Sequence, residues 1–300
     1  MRKILKMLVP LIFASHVSAM DFGQLGGTFT MHGEIKKDDS VNFIISLASW
    51  DNPPTVFHIT STGGDLDEAM KIGEIIRSSQ IPVWSGEECF SACVFIYASG
   101  VERDAQGKVG LHRPYFDKKY FANLSSLEAK EKYEELKQQS ITYLKEIEVS
   151  QALIDRMFQT GSTEVDIIEA EEANRLFGAQ SPFYEEWITA KCGKYTEEQS
   201  RVLTSWGSLQ AARATLAMAK DESIPKSDNF GSNLQELVEG AQLALQMEKA
   251  GMLEPYIELS EIHQKCEEKA ANAHVYSFHR SLQKYFLDLS REIEPNNRVN

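Results

Sequence analysis

The sequence predicts an α/β domain followed by an all-helical region, and three observations carry the prediction. Between Val56 and Leu111, short runs of β-forming residues alternate with helical patterns in the order strand, helix, strand, helix, strand. The joints between them are turn chemistry: Asn52-Pro53-Pro54, Gly63-Gly64, Gly86 and Gly100. From about Tyr195 onward only helical apolar spacing remains.

Residues 1–19 read as an address. Arg2, Lys3 and Lys6 precede a short apolar core, Leu8 to Val17, and Val17-Ser18-Ala19 matches a small-residue cleavage motif, so cleavage is expected after Ala19. The apolar run falls short of the ~20 residues a spanning helix needs. No later stretch is long and apolar enough to span a membrane, so the mature chain is expected in the periplasm or outside the cell. Losing three cationic residues moves the formal charge from −13 to −16. That balance argues against nucleic acid and anionic lipid as partners, since phosphates want a basic face.

The remaining elements follow in order. Thr28 to Ile35 alternates as a strand, and Val41 to Ser49 is a short helix capped by Asp39 or Ser40. Val56 to Thr60 is a buried strand. Asp65-Leu66-Asp67-Glu68 is a variant capping box opening a helix with Leu66, Ala69, Met70, Gly73 and Ile76 on one face. Pro82-Val83-Trp84 is a strand that Gly86 turns. Ala92 to Ala98, apolar throughout and ended by Gly100, reads as a buried helix with a strand as the alternative, and Lys108 to Leu111 is a strand. Ser125-Ser126-Leu127-Glu128 caps a long amphipathic helix, which is either an arm for a partner or a solvated surface helix. Ser150 to Phe158 is a helix, Val165 to Ile168 a strand, and Glu169 to Phe177 a helix closed by Gly178. Three helices follow, at Glu197 to Lys220, Asn233 to Ala250 and Pro255 to Leu289. A loop is expected at Ser223 to Ser232 and a frayed tail after Ile293. The boundaries are a leader at 1–19, an α/β domain at 20–190 and a helical region at 191–300.

Four cysteines in an exported chain invite disulfides. On a helical turn Cys89 and Cys93 lie within bridging range, and Cys192 with Cys266 would then be the second pair, although four cysteines allow three connectivities and sequence alone does not choose among them. The other reading is buried free thiols beside Ser91. No ligand spacing for zinc accompanies them, and no cofactor is implied.

The candidate chemistry sits between Ser61 and Pro114. Gly63-Gly64, between a strand and a helix, can take positive φ and leave N–H groups free for an oxyanion. Ser91 opens the buried helix, where the N–H of Ala92 has no helical acceptor. His112 ends a strand and could take the serine proton. Each residue has a plainer reading, as a tight turn, a helix cap or a buried imidazole. His32, His58, His263, His274 and His279 have no comparable companions and read as structural or surface groups.

Together these residues resemble the ClpP/crotonase superfamily, and within it ClpP-like serine peptidases. The resemblance rests on Ser61-Thr62-Gly63-Gly64, Cys89-Phe90-Ser91-Ala92-Cys93 and Leu111-His112-Arg113-Pro114. Farther on it includes Ile168-Glu169-Ala170-Glu171-Glu172-Ala173 with Gly178. It covers Val56 to Gly178 and leaves the C-terminal helices unexplained. It implies a spiral of ββα units, Ser91 as nucleophile, His112 as base, and Gly63 and Ala92 as oxyanion donors with Gly64 beside them. It also implies a peptide or protein substrate and leaves room for a homo-oligomer. Thr62 stands where the family has proline, and cysteines flank the serine. The family's aspartate position falls on Val165, one before Asp166. The third member is therefore Asp166, or Asp155, or absent in a Ser–His dyad. The alternative to a hydrolase is an inactive scaffold of the same fold. An acyl-CoA enzyme of the crotonase branch is the weakest reading, because an exported compartment offers little CoA.

Overall fold

Three parallel β-strands and the turns that follow them position Gly63, Gly64, Ser91 and His112. In a computed structural model the chain is described at residues 20–219 and 230–293. The expected leader at 1–19, the tail after Ile293 and most of the expected loop at 223–232 lie outside those residues.

In chain order the elements are β1 (Asp21–Leu25), β2 (Thr28–His32), α1 (Asp39–Ala48), β3 (Val56–Ser61), α2 (Leu66–Ser79), β4 (Val83–Phe90) and α3 (Cys93–Ser99). Next come β5 (Arg103–Ala105), β6 (Lys108–Leu111), α4 (Lys118–Ala122), α5 (Ser126–Glu146), α6 (Gln151–Gln159), β7 (Asp166–Ile168) and α7 (Ala170–Phe177). The C-terminal helices are α8 (Pro182–Cys192), α9 (Glu197–Ala219), α10 (Phe230–Gly240), α11 (Gln242–Lys249) and α12 (Glu254–Ile293). This is an α/β protein with a mixed seven-stranded sheet and a largely helical C-terminal region.

The sheet order is β1-β2-β3-β4-β6-β7, with β5 beside β4. Strands β2, β3, β4 and β6 run parallel, while β1 and β7 are antiparallel to their neighbours. Strand β4 pairs with β5 over Val83–Ser85 and with β6 over Glu88–Phe90, so two strands share one of its edges end to end. The run Val83–Phe90 continues through Gly86 instead of turning there. A Cβ on Gly86 would meet Thr60 Oγ1 at 2.3 Å and His58 Cε1 at 2.6 Å, so this glycine serves close strand approach, not a turn. The β3–β4 register shifts between Ile59 and Ser61, beside it.

The first capping pattern is half formed. Asp65 accepts from the Glu68 N–H at 3.1 Å, but the Glu68 carboxylate reaches α1 instead, taking the Ser40 N–H at 2.9 Å and Lys71 at 2.7 Å. Burial alone would raise the Glu68 carboxyl. The bonds from Lys71 and Ser40 outweigh it and hold the group at about 2. Ser125 and Glu128 make a complete capping box on α5. Only the later part of α5 is buried, at Ser140, Tyr143 and Leu144. Gly73 makes that contact feasible, since a Cβ there would lie 1.8 Å from Tyr143 Oη, which donates to the Phe95 carbonyl at 3.1 Å.

The chain divides into two compact units, Met1–Pro182 with His274–Asn300, and Phe183–Ala273. The expected helical region at 191–300 is thus split between them, because the end of α12 belongs to the first unit. There Val275 joins the core, His279 donates from Nε2 to the Trp50 carbonyl at 3.0 Å, and Gln283 donates to the same carbonyl at 2.7 Å.

In the second unit Cys192 and Cys266 form a disulfide. Its core gathers Val202, Leu209, Ala241, Ala244 and Leu253. The single helix expected over Asn233 to Ala250 is broken at Ala241 for an identifiable reason. Ser205 Oγ donates to the Gly240 carbonyl at 2.7 Å and accepts from the Ala244 N–H at 3.0 Å, inserting a hydroxyl into the helical ladder.

Candidate functional site

Strand β3 ends at Ser61 and hands the chain to Thr62-Gly63-Gly64 before α2 begins. Gly63 and Gly64 have φ of 102° and 138°, backbone that side chains rarely adopt. Sterics require glycine at both. A Cβ on Gly64 would lie 2.0 Å from the Ile35 carbonyl oxygen, and one on Gly63 would lie 2.6 Å from Ser91 Cβ.

Ser91 occupies the sharp turn between β4 and α3. Its φ is 57°, a left-handed conformation costing of order 1–3 kcal/mol for a residue with a side chain. The surroundings over-determine it. Its N–H donates to the Gly110 carbonyl at 3.0 Å, its carbonyl accepts from the Val94 N–H at 3.0 Å, and a Cys89–Cys93 disulfide brackets it. Both cysteines are fully buried. Helix α3 is itself anchored. Arg103 donates to the Ala98 carbonyl at 3.0 Å and the Gly178 carbonyl at 3.3 Å. Burial pushes Arg103 down to about 10, and burial drives the Tyr97 hydroxyl on α3 far above its ordinary range.

The pairing of Phe90 with Gly110 delivers His112 one residue past the end of β6, next to the Ser91 turn. His112 is 8% exposed, and its Nδ1 lies 3.0 Å from the Arg113 carbonyl. A carbonyl only accepts, so Nδ1 is the donor in this contact and Nε2 is the ring nitrogen it leaves uncommitted. No hydrogen bond joins His112 to Ser91 in this arrangement.

One cavity of about 520 Å³ takes in Gly63, Gly64, Ser91, Ala92 and His112. Leu66, Phe95 and Val165 supply apolar wall; Glu34, Tyr115, Asp117, Ser162 and Thr163 supply polar groups. Gly64 and Ala92 N–H find no acceptor among the described residues, whereas Gly63 N–H donates to Ser61 Oγ at 3.1 Å.

No protein-family model and no curated protein matches this sequence.

The carboxylates named from sequence lie elsewhere. Asp166 is paired across β6–β7 with Leu111, so its side chain stands on the Leu111 side, and it is Val165 that lines the cavity with His112. Both Asp166 oxygens are held by Arg156, at 2.5 and 3.1 Å, and Arg156 also binds Glu172 at 2.7 Å. Asp155 is exposed on α6 and accepts from Gln151. The group orienting His112 is the Arg113 carbonyl, which carries no side-chain signal.

A larger groove of about 1150 Å³ runs between α2 and α5, lined by Asp67, Glu74, Glu131, Glu134, Glu135 and Glu146 with Lys71. It contains no histidine, serine or cysteine among the described residues, whereas the smaller cavity brings Ser91 and His112 together. Among the described residues no group of His, Cys, Asp or Glu is placed to hold a metal ion, and no cysteine is free. No helix among them is long and apolar enough to cross a membrane.

Proposed function

We propose that this chain is an exported serine hydrolase, a peptidase related to the ClpP-like class, with a spiral ClpP/crotonase-type fold as its ancestry. The observation that carries the reading is Ser91 at φ 57° in a strand–turn–helix elbow, sharing one cavity with His112 and two unengaged amides. Strained serine elbows of this kind expose a nucleophile above a sheet end.

In the mechanism His112 Nε2 takes the Ser91 proton as Oγ attacks the scissile carbonyl, and the tetrahedral oxyanion is received by the amides of Ala92 and Gly64. His112 then protonates the leaving amine, and water hydrolyses the acyl-enzyme by the same route in reverse. The Arg113 carbonyl holds the imidazole tautomer, so the site works as a dyad without Asp166. Gly63 would join the oxyanion hole only by giving up Ser61 Oγ. Substrate is a peptide whose side chain fits against Leu66 and Phe95. Disulfides at Cys89–Cys93 and Cys192–Cys266 support an oxidising compartment.

Turnover of fluorogenic peptides by the purified mature chain tests the reading. Activity lost in both Ser91→Ala and His112→Ala, with folding intact, is expected; equal activity in either variant removes the proposal. The second reading, an inactive scaffold, is favoured by the missing Ser91–His112 hydrogen bond and by the engagement of Asp166 with Arg156.

A further inference from the structure

Asp39 is fully buried, yet its carboxylate is only half used. Oδ2 accepts the Lys36 N–H at 2.6 Å and lies 3.4 Å from the Met20 nitrogen, while Oδ1 has no hydrogen-bond partner among the described residues. Met20 is itself 4% exposed and part of the hydrophobic core. A buried carboxylate with an idle oxygen is costly unless a cation comes to it. The nitrogen already beside it is that of the residue following Ala19, where the sequence places leader cleavage.

We propose that removal of the leader after Ala19 turns the Met20 nitrogen into an α-ammonium that forms a buried ion pair with Asp39. The step is hydrolysis of the Ala19–Met20 amide by a leader peptidase. Water adds, Ala19 leaves with a carboxylate, and Met20 keeps an amine that takes up a proton at neutral pH. One N–H donor becomes three, with a positive charge, which serves both Asp39 oxygens. The pair is wired to the cavity. Asp39 holds Lys36, the neighbouring Ile35 N–H donates to the Gly63 carbonyl at 2.8 Å, and the Asp65 N–H donates back to the Ile35 carbonyl at 2.8 Å. Cleavage therefore tightens the Gly63-Gly64 turn from outside the site. The inference uses the exported reading for the cleavage alone and is independent of any hydrolase activity.

The test begins with the amino terminus of the exported protein, by intact mass and terminal sequencing. Met20 as first residue is expected; any other start overturns the proposal. The pair itself is read by thermal unfolding of the mature chain, the same chain with one glycine ahead of Met20, and both again with Asp39→Asn. The glycine should lower Tm by roughly 5–15 °C when Asp39 is present and leave it unchanged in the Asp39→Asn background. No shift with Asp39 present, or equal shifts in both backgrounds, overturns the pairing. Should D39N not fold, N-acetylation of Met20 decides. It removes the charge while keeping the length, and an unchanged Tm then refutes the ion pair.

Discussion

Gly63 lies flat against Ser91: a Cβ on the glycine would sit 2.6 Å from the serine Cβ and 2.8 Å from the Phe90 carbonyl oxygen. Two turns distant in sequence share one steric envelope, and neither can change shape alone. Gly63→Ala therefore has to displace the nucleophile turn, and at φ 102° it also adds backbone strain. A loss of about 2–4 kcal/mol is expected, seen as a lower urea midpoint, together with loss of peptidase activity.

Asp166 and His112 should respond very differently to truncation. His112→Ala removes the general base and should lower kcat/KM by roughly 10²–10⁴-fold. Asp166→Ala takes both of its oxygens from a half-exposed Arg156 that still has Glu172, so it should cost about 1 kcal/mol and leave kcat/KM within about threefold of the parent. Peptide kinetics beside thermal melts measure both. A large fall in kcat for the Asp166 variant would restore a triad.

The Cys89–Cys93 bridge closes a short loop around Ser91, worth about 2 kcal/mol in chain-entropy terms. Its larger effect should be on geometry, because the bridge is one of three restraints on a serine held at φ 57°. Replacing both cysteines with alanine should slow turnover by on the order of tenfold. Both sulfurs are fully buried, so mild reductant on the folded protein should act slowly. Thiol titration against time, run in parallel with activity, checks this.

Glu68 makes the acid limb of stability predictable. Its carboxyl is held at about 2 in the folded chain, against an ordinary value of 4.5. A depressed carboxylate contributes stability that is whole above about 4.5 and is lost as pH falls toward 2. The contribution is on the order of 3 kcal/mol, carried by the bonds from Ser40 and Lys71. Glu68→Gln should lower stability at neutral pH and flatten its fall between pH 4.5 and 2, as denaturant melts over that range would show.

Much of the site was legible because its parts are local. Gly63-Gly64, Ser91 and His112 each stand at the junction of a strand with a turn, and strand and turn signals are short-range. Asp166 shows what a one-residue slip does. Opposite Leu111 it belongs to the other side of the strand from Val165, so a carboxylate near the right sequence position ends on Arg156. The Arg113 carbonyl could not be read from sequence, since every residue has one. Ser162 and Thr163 reach the cavity through tertiary folding alone, whereas Tyr115 stands three residues after His112 and packs on its ring. Strand β5 escaped notice because three residues beginning Arg103-Asp104 carry no β signal, and β1 because Asp21–Leu25 is an edge strand with mixed exposure. The break at Ala241 depends on a serine far away in sequence, Ser205, which no local pattern announces.

The reactivity of one hydroxyl is the most direct test of a hydrolase. Fluorophosphonate treatment of the mature protein, followed by peptide mapping in a mass spectrometer, should place a single adduct on Ser91 and show it greatly slowed in His112→Ala. A folded protein that takes no label at Ser91, or takes it equally fast without His112, would contradict the account.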